Sequence, residues 1–218
     1  KELVPKITLQ HKHLMEKIKF LYGASGHCKV IIEILNDNNV FIEGIFDDYP
    51  KTENLLGIPI LQPALIPTTG TFSEIIVSIG DNLTRKKIVS KIDIPSFLAI
   101  HKSAILSPNS IIGKGSVVMA GVIINSSVSI GEHCIINSGS IIEHDCIINN
   151  FCHISPNVSL AGNVIVGEGT QVGIGASVIQ GIKIGKWVTI GAGSVVIRDV
   201  PDFAVVVGNP GKIIKYIE

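Results

Sequence analysis

The stretch that decides the fold begins Ile112-Gly-Lys-Gly-Ser-Val-Val118 and continues to residue 201. An aliphatic residue returns at every sixth position of this stretch, without a polar interruption. A second set of mostly small residues, from Ser116 to Val200, follows four places after each aliphatic residue. The aliphatic series is Ile112, Val118, Ile124, Ile130, Ile136, Ile142, Ile148, Ile154, Leu160, Val166, Val172, Val178, Ile184, Ile190 and Val196.

A six-residue period fits neither an α-helix, with its 3.6 residues per turn, nor a single strand, with its period of two. It is typical of a parallel β-helix, in which short strands form three flat faces joined by tight bends. Three hexads then make one coil, and residues eighteen apart stack about 4.8 Å from each other in neighbouring coils. The pattern predicts about five coils around one continuous apolar core.

Ahead of the repeat, short apolar runs alternate with helical patterns. Strands are predicted over residues 18–22, 41–46, 59–61, 75–79 and 97–100, and helices over residues 29–35 and 83–92. This alternation predicts a small parallel α/β domain of Rossmann type over residues 15–101, before the β-helix over residues 102–201. Residues 1–14 resemble a leader or tag, and residues 202–218 form a C-terminal tail.

Composition excludes several classes of protein. The 18 basic and 18 acidic side chains give a net charge of zero, which disfavours a nucleic-acid-binding surface. No apolar run approaches the roughly 20 residues of a membrane span, and no secretory signal is visible, so we expect a cytoplasmic protein without membrane attachment. Three of the four cysteines fall on the small inward positions of their hexads, where they are expected to be structural.

A glycine-containing turn, Gly23-Ala-Ser-Gly26-His27, separates the first predicted strand from the first helix. Backbone N–H groups at such a helix N-terminus suit a phosphate. An ordinary tight turn without a ligand explains the same residues equally well. Asp47 and Asp48 end the second predicted strand, where an acidic residue commonly binds a ribose or a base edge. A solvated turn before Pro50 is the alternative for this pair. Together the two features favour a nucleotide-containing ligand.

Of three histidines on the repeat, His144 stands out because Glu143 and Asp145 flank it. Such a histidine serves as a base when a carboxylate orients its ring. Gly162 lies eighteen residues later and should stack on His144, where its backbone N–H would face a developing oxyanion. The other two histidines, at positions 133 and 153, start as ordinary surface residues.

A metal site is the competing interpretation of these histidines. Trimeric β-helix carbonic anhydrases hold zinc with three histidines on neighbouring coils. The spacings of eleven and nine residues between His133, His144 and His153 do not stack the side chains at multiples of eighteen, so we expect no metal.

The ordered set of motifs resembles one family. Tyr22-Gly-Ala-Ser-Gly-His27, Phe46-Asp-Asp48, Ile79-Gly-Asp-Asn82, Ile142-Glu-His-Asp145 and the hexads are similar to those of the left-handed β-helix sugar acetyltransferases of the PglD/NeuD type. The resemblance covers the chain from Met15 onward. It implies a left-handed β-helix, a homotrimer with sites between subunits, acetyl-CoA as co-substrate and a nucleotide sugar held by the N-terminal domain.

The resemblance also assigns residues. It implies that His144 is the general base, that Asp145 orients it and that Gly162 donates to the oxyanion. The best-known members have Glu in place of Asp145, so Glu143 is an alternative orienting group. Near the acetyl group and the sugar it places Asn137 and His153. Along the coenzyme A arm it places His153, Gly162, Gly173, Ile174, Gly191, Ala192, Pro210 and Lys212. On the nucleotide sugar it places Gly23, Gly26, His27, Asp47, Asp48 and Arg85.

Three functions follow from these features. The leading hypothesis is acetylation of the 4-amino group of a UDP-linked 4-amino-4,6-dideoxy sugar, a bacillosamine-type glycan precursor. O-acetylation of sialic acid or another sugar is the alternative, because a histidine base serves an amine or a hydroxyl. A metal-dependent hydratase of the carbonic anhydrase type is the remote alternative.

Overall fold

The structure, a computed structural model, describes residues 17–66 and 73–217. The leader-like segment expected over residues 1–14 lies outside them. Two α-helices, α1 (Gly26–Asp37) and α2 (Asn82–Val89), and a short 3₁₀-helix (Pro63–Leu65) accompany the strands. Across the described residues, no helix has both the length and the apolar character that a membrane span requires.

The strands fall into an N-terminal group, a repeating group and a C-terminal pair. The N-terminal group is β1 (Ile18–Tyr22), β2 (Gly44–Phe46), β3 (Asn54–Leu55), β4 (Ile58–Leu61) and β5 (Ser73–Val77). The repeating group is β6 (Ala99–Ile100), β7 (Ile105–Leu106), β8 (Ile111–Ile112), β9 (Val117–Val118), β10 (Ile123–Ile124), β11 (Ser129–Ile130), β12 (Ile135–Ile136), β13 (Ile141–Ile142), β14 (Ile147–Ile148), β15 (His153–Ile154), β16 (Ser159–Leu160), β17 (Ile165–Val166), β18 (Gln171–Val172), β19 (Ser177–Val178), β20 (Lys183–Ile184), β21 (Thr189–Ile190) and β22 (Val195–Val196). The C-terminal pair is β23 (Ala204–Val207) and β24 (Lys212–Tyr216).

The N-terminal sheet has the order β3-β4-β2-β1-β5, and only the β3–β4 pairing in it is antiparallel. The chain moves from β1 to β2 on one side and later returns to place β5 on the other side of β1. The carboxyl ends of β1 and β5 therefore flank a topological switch point, where open α/β sheets bind their ligands.

The repeating strands form three parallel sheets, confirming the β-helix. We name them face A (β6, β9, β12, β15, β18, β21 and β23, with β24 antiparallel at its edge), face B (β7, β10, β13, β16, β19 and β22) and face C (β8, β11, β14, β17 and β20). Residues eighteen apart pair in register, as Ile142 does with Leu160. The tight bends between faces form three columns: the A–B, B–C and C–A corners.

The interior of the β-helix is the core that the hexads predict. Both six-residue series point inward, and all of their members are buried except Ile112, which is half-buried in the first coil. Three serines and a threonine share this interior. The hydroxyls of Ser116, Thr170 and Ser194 bond backbone groups of the next coil, as Thr170 does with the carbonyl of Gly185 at 2.7 Å, whereas Ser140 donates to the carbonyl of Asn137 in its own coil. Polar groups in a core are tolerated when they are paired in this way.

The N-terminal domain packs directly on the β-helix of its own chain. Helix α1 shares an apolar cluster with outward residues of face A, among them Val117, Met119 and Ile135. These residues are buried although they point away from the β-helix interior, because the helix covers them. Helix α2 lies at the C–A corner, where the Asn82 amide donates to the carbonyl of Gly169 at 3.0 Å.

Several element boundaries differ from the sequence predictions. Helix α1 begins at Gly26, inside the predicted turn, and β5 ends at Val77, two residues early, where Ser78 donates its hydroxyl back to β1. The strand predicted over residues 97–100 is β6, which pairs with face A and not with the N-terminal sheet. The tail contains a hairpin, β23–β24, that the sequence pattern did not predict.

Candidate active site

The turn after β1 closes tightly around the carboxyl end of β5. Gly23 has a φ of +100°, and a Cβ there would lie 2.7 Å from Cγ1 of Ile79, so no larger residue fits without displacement. The Ser78 hydroxyl donates to the carbonyls of Tyr22 and Gly23, at 2.8 and 2.7 Å. Gly26 has open space around it and begins helix α1. The predicted phosphate turn therefore lies at the switch point.

The acidic pair after β2 braces this turn. Oδ2 of Asp47 accepts the backbone N–H of Ala24 at 2.7 Å, and its Oδ1 accepts the N–H of Tyr49 at 2.8 Å. Asp48 accepts the phenol of Tyr22 at 2.8 Å, and burial together with this bond raises the pKa of Tyr22 far above its usual value. The two carboxylates are thus held beside the N-terminus of α1, where a ribose or base edge would meet them.

His144, Asp145 and Gly162 meet at the B–C corner. Nδ1 of His144 lies 2.7 Å from Oδ2 of Asp145, which itself sits in the left-handed region at a φ of +61°. A proton on Nδ1 satisfies the carboxylate and leaves the lone pair of Nε2 free. Gly162 packs against the ring face, since a Cβ on it would lie 2.6 Å from Cε1 and 2.7 Å from Nε2. The stacking predicted from the period is present, and Asp145 contacts the ring.

The backbone of Gly162 meets the requirement for an oxyanion donor. Its neighbours use their N–H groups inside the β-helix: Ala161 donates to Val178 and Asn163 to His144. Within residues 17–66 and 73–217, the N–H of Gly162 donates to no protein acceptor. A free N–H next to a histidine base is the arrangement that acyl transfer uses.

Asn137 and His153 form a second pair, on face A beneath the N-terminal domain. The Asn137 amide nitrogen lies 3.1 Å from Nε2 of His153. Burial lowers the pKa of His153 to about 4, helped by the nearby charge of Arg85 and by His27, and opposed by the Gly80 backbone. Burial and Arg85 likewise lower the pKa of His27 to about 4. Both histidines are therefore neutral near pH 7 and able to accept as well as donate.

Arg85 is enclosed between the two domains, with only 1% of its surface exposed. Its guanidinium donates to backbone carbonyls of the segment after β5 and to carbonyls of the β-helix, and burial lowers its pKa to about 10. Although Arg85 is predicted to contact the sugar nucleotide, the structure directs its donors at the protein.

Six of the eight residues assigned to coenzyme A form a third group, at the A–B corner and beyond it, whereas His153 lies on face A and Gly162 at the B–C corner. Gly173 stacks directly on Gly191, and a Cβ on Gly173 would meet the backbone of the next coil at 2.5 Å. Ile174 is exposed, and its carbonyl accepts the N–H of Gly193 at 2.8 Å. Pro210 lies in the exposed turn of the β23–β24 hairpin, and Lys212 begins β24.

The structure thus places the predicted site residues in separate groups, which do not come together within a single chain. His144 lies at the B–C corner with Asp145 and Gly162, whereas Asn137 and six of the eight coenzyme A residues lie at or near the A–B corner on the opposite edge of face B. Sequence analysis missed Ser78 and Asn82 as organising residues. Ser78 had a signal, as a polar residue at the end of an apolar strand, but nothing in the pattern indicated the interdomain bond of Asn82.

The four cysteines are buried. Cys134, Cys146 and Cys152 are fully buried in the β-helix, as predicted from their hexad positions. Cys28 is also buried, and burial raises its pKa to about 11 despite its place in the first turn of α1. In the described part of the chain, no three His, Cys, Asp or Glu side chains are grouped as metal ligands would be.

An α/β domain with a switch-point turn, joined to a three-faced β-helix with a histidine–carboxylate pair, defines a hexapeptide-repeat transferase. Two family models match the sequence. The PglD N-terminal domain matches residues 20–92, and the bacterial transferase hexapeptide (six repeats) matches residues 109–144 and 163–198.

Solved structures agree over nearly the whole chain. A histidine-to-asparagine mutant of perosamine N-acetyltransferase from Caulobacter crescentus, in complex with CoA and GDP-perosamine, is 40% identical with a TM-score of 0.86, covering 90% of this chain and 96% of that chain. The acetyltransferase domain of PglB from Neisseria gonorrhoeae, in complex with acetyl coenzyme A, is 32% identical with a TM-score of 0.85, covering 91% and 100%.

Curated relatives match over shorter segments. An uncharacterized protein of Acanthamoeba polyphaga mimivirus is 34% identical over 98 residues, which are 44% of this chain, and the match spans only 20% of that relative's length. The family models and solved structures together decide the family. The chain belongs to the left-handed β-helix sugar N-acetyltransferases with a PglD-type N-terminal domain, and it is an acyltransferase of that family. The predicted family and fold class are confirmed.

Proposed function

We propose that this protein transfers the acetyl group of acetyl-CoA to an amino group of a nucleotide-linked amino sugar. The observation that carries this proposal is the His144–Asp145 pair packed on Gly162, in a chain whose N-terminal domain has a turn and acidic pair suited to a nucleotide. The related structures from Caulobacter crescentus and Neisseria gonorrhoeae hold CoA with GDP-perosamine and acetyl coenzyme A, respectively, which supports both substrates.

The chemistry assigned to His144 is general base catalysis. The neutral sugar amine attacks the thioester carbonyl, and Nε2 of His144 takes the proton that the nitrogen loses. The carbonyl oxygen becomes an oxyanion that the N–H of Gly162 stabilises. The C–S bond then breaks, the amide remains on the sugar, and the proton passes from Nε2 to the departing thiolate of CoA.

The role of Asp145 is to hold the ring of His144 with its proton on Nδ1. The 2.7 Å contact favours Asp145 over Glu143 as this group. We expect Asp145→Asn to lower kcat about tenfold or more, as loss of an orienting carboxylate does, and the matched change Glu143→Gln to leave kcat within about twofold. A loss in Glu143→Gln with Asp145→Asn unaffected would give the orienting role to Glu143.

The substrate we propose is a UDP-linked 4-amino-4,6-dideoxy sugar, a bacillosamine-type precursor. The turn from Gly23 to Gly26 would meet its diphosphate, since the first N–H groups of α1 lie there, and the carboxylates of Asp47 and Asp48 would meet the nucleoside. His27 and His153, both neutral, would meet the sugar. O-acetylation of sialic acid stays the alternative, because a neutral histidine base also accepts a hydroxyl proton.

A homotrimer would complete the site. Face B separates His144 and Gly162 from the coenzyme A residues at the A–B corner within one chain, so a neighbouring chain is needed to bring a B–C corner against an A–B corner. Outward isoleucines supply an apolar contact surface: Ile105 on face B and Ile111 on face C are 64% and 68% exposed in the single chain. Sedimentation should give a trimer for the wild type and smaller species for Ile111→Glu. A wild-type monomer with full activity would refute the shared site.

The test of function is release of CoA from acetyl-CoA, measured for wild type and His144→Ala. The sugars compared are a UDP-4-amino-4,6-dideoxy sugar, GDP-perosamine and free sialic acid. We expect release only with an amino-sugar nucleotide, and a loss of about 100-fold or more in kcat for His144→Ala. Release with sialic acid alone would favour O-acetylation, and a fully active variant would refute the assigned base.

A further inference from the structure

The guanidinium of Arg85 is fully occupied by the protein itself. An arginine side chain has five N–H donors. Nε donates to the carbonyl of His133 at 2.9 Å, and Nη1 donates to Ile79 at 2.8 Å and Gly80 at 3.1 Å. Nη2 donates to Oδ1 of Asn82 at 2.7 Å and to the carbonyl of Phe151 at 3.0 Å. Every donor is therefore used, and none is left for a phosphate or a sugar.

The acceptors belong to two separate parts of the fold. The carbonyls of Ile79 and Gly80 lie in the segment between β5 and α2, and Asn82 is the first residue of α2. The other two acceptors lie on successive coils of the β-helix at the C–A corner, eighteen residues apart. A single rigid, planar group thus joins the ligand-facing end of the N-terminal sheet to the β-helix. Because the fork of arginine is planar and fixed, it sets a distance and an angle and is not a flexible tether.

Both ends of this connection touch residues of the proposed site. On one side, Ile79 packs against the Gly23 turn, where a Cβ would come within 2.7 Å of it. On the other side, the Phe151 and Cys152 carbonyls directly precede His153. The position of the nucleotide turn relative to His153 therefore depends on where Arg85 holds the two segments.

We propose that Arg85 is a positioning residue that aligns the sugar-nucleotide turn with His153, and that it does not contact the substrate. This inference rests on the proposed function and assigns to Arg85 a different role from the substrate contact that the family resemblance implies. A misplacement of about 1 Å between bound substrate and reacting groups can cost about 100-fold in rate. The transfer step, and not nucleotide binding, should therefore depend on Arg85.

The test compares Arg85→Lys and Arg85→Met with Lys86→Met as the matched control. Lys86 is the next residue of α2, and it also crosses the interface, where its ammonium pairs with Glu168 and lies over the rings of Phe151 and Trp187. For each protein, kcat and both KM values are measured by CoA release, and the affinities for UDP and GDP by calorimetry.

We expect Arg85→Met to lower kcat at least about tenfold, with the nucleoside diphosphate affinity and the KM for acetyl-CoA within about twofold of wild type. Arg85→Lys should recover part of kcat, because the charge is kept and up to three donors remain. Lys86→Met should leave kcat unchanged. A tenfold loss of diphosphate affinity with normal kcat at saturation would overturn the proposal in favour of a substrate contact.

Two further results distinguish failure of the positioning role from failure of the proposed function. If Arg85→Met only lowers the melting temperature, and kcat of the folded enzyme is normal, Arg85 is merely structural and the proposal fails. Asn82→Ala is the second variant should Arg85→Met not fold, because it removes one acceptor and is expected to lower kcat in the same direction. If the wild type itself releases no CoA with any sugar nucleotide, the proposed function fails. The positioning role is then tested by amide exchange of residues 78–84, which should accelerate in Arg85→Lys and not in Lys86→Met.

Discussion

Replacing Gly162 with Ala should disable the base without unfolding the protein. A Cβ at this position would lie 2.6 Å from Cε1 and 2.7 Å from Nε2 of His144, whereas ordinary van der Waals contact begins at 3.4 Å. The ring must therefore retreat by about 0.8 Å. A displacement of this size at the reacting atoms is expected to lower kcat by about 100-fold. Alanine keeps the backbone N–H, so the loss would report on the ring and not on the oxyanion donor.

Stability should change little in this variant. The His144 side chain is 57% exposed and is free to rotate into solvent. Gly162 is not in the left-handed region, so alanine introduces no backbone strain and restricts the unfolded chain, a gain of about 0.5 kcal/mol. We expect the melting temperature to stay level or rise slightly while kcat falls. CoA release and thermal unfolding are the two measurements.

A matched control separates activity from stability. Gly57 lies in a hairpin away from the site, at a φ of +83° with open space around it, so Gly57→Ala should cost about 1 kcal/mol through backbone strain alone and leave kcat unchanged. A double-mutant cycle completes the test: in the His144→Ala background, Gly162→Ala should cost almost nothing further. An equal loss in both backgrounds, or a kcat within about threefold of wild type, would refute the steric argument.

Two further predictions concern stability. The folded pKa of about 4 for His27 and His153 lies below the unfolded value of 6.5, so their contribution to stability is complete above about pH 6.5 and falls at lower pH as the unfolded chain takes up protons. Each histidine should cost about 2.5 kcal/mol between about pH 7.5 and pH 4.5, measured by urea unfolding, and His153→Gln should roughly halve the loss. A flat wild-type profile would contradict their burial as neutral groups. Thr170→Val should cost about 2 kcal/mol with kcat unchanged, since the Thr170 hydroxyl donates to Gly185 and accepts from the N–H of Val188; a variant as stable as wild type would mean that these groups find other partners.

The β-helix could be predicted from sequence because its information is local and repeated. Each hexad carries the same instruction, an inward aliphatic residue followed by a bend, and the same register recurs eighteen residues later. The stacking of Gly162 on His144 followed from that register alone. The Rossmann-type turn and the acidic pair were predictable for a similar reason, because the ends of adjacent parallel strands meet at one edge of a sheet.

The packing of the two domains could not be predicted in this way. Val117, Met119 and Ile135 are outward positions of the repeat, and the period does not say which face a second domain covers. The surroundings of Arg85 could not be predicted either, because a charged residue in an amphipathic helix predicts a solvated or ligand-binding side chain. Its complete set of carbonyl acceptors forms only when the segment that follows β5 packs against two coils of the β-helix.

The sequence by itself therefore determined the two fold classes, the inward core, the histidine flanked by two carboxylates and the glycine stacked on it. Each of these depends on spacing along the chain, which a period or a motif expresses directly. Only the tertiary structure decided that Asp145 contacts His144, that His27 and His153 are buried and neutral, and that Arg85 is enclosed between the domains. Those properties arise from desolvation and from contacts between residues distant in sequence, and no local pattern encodes them.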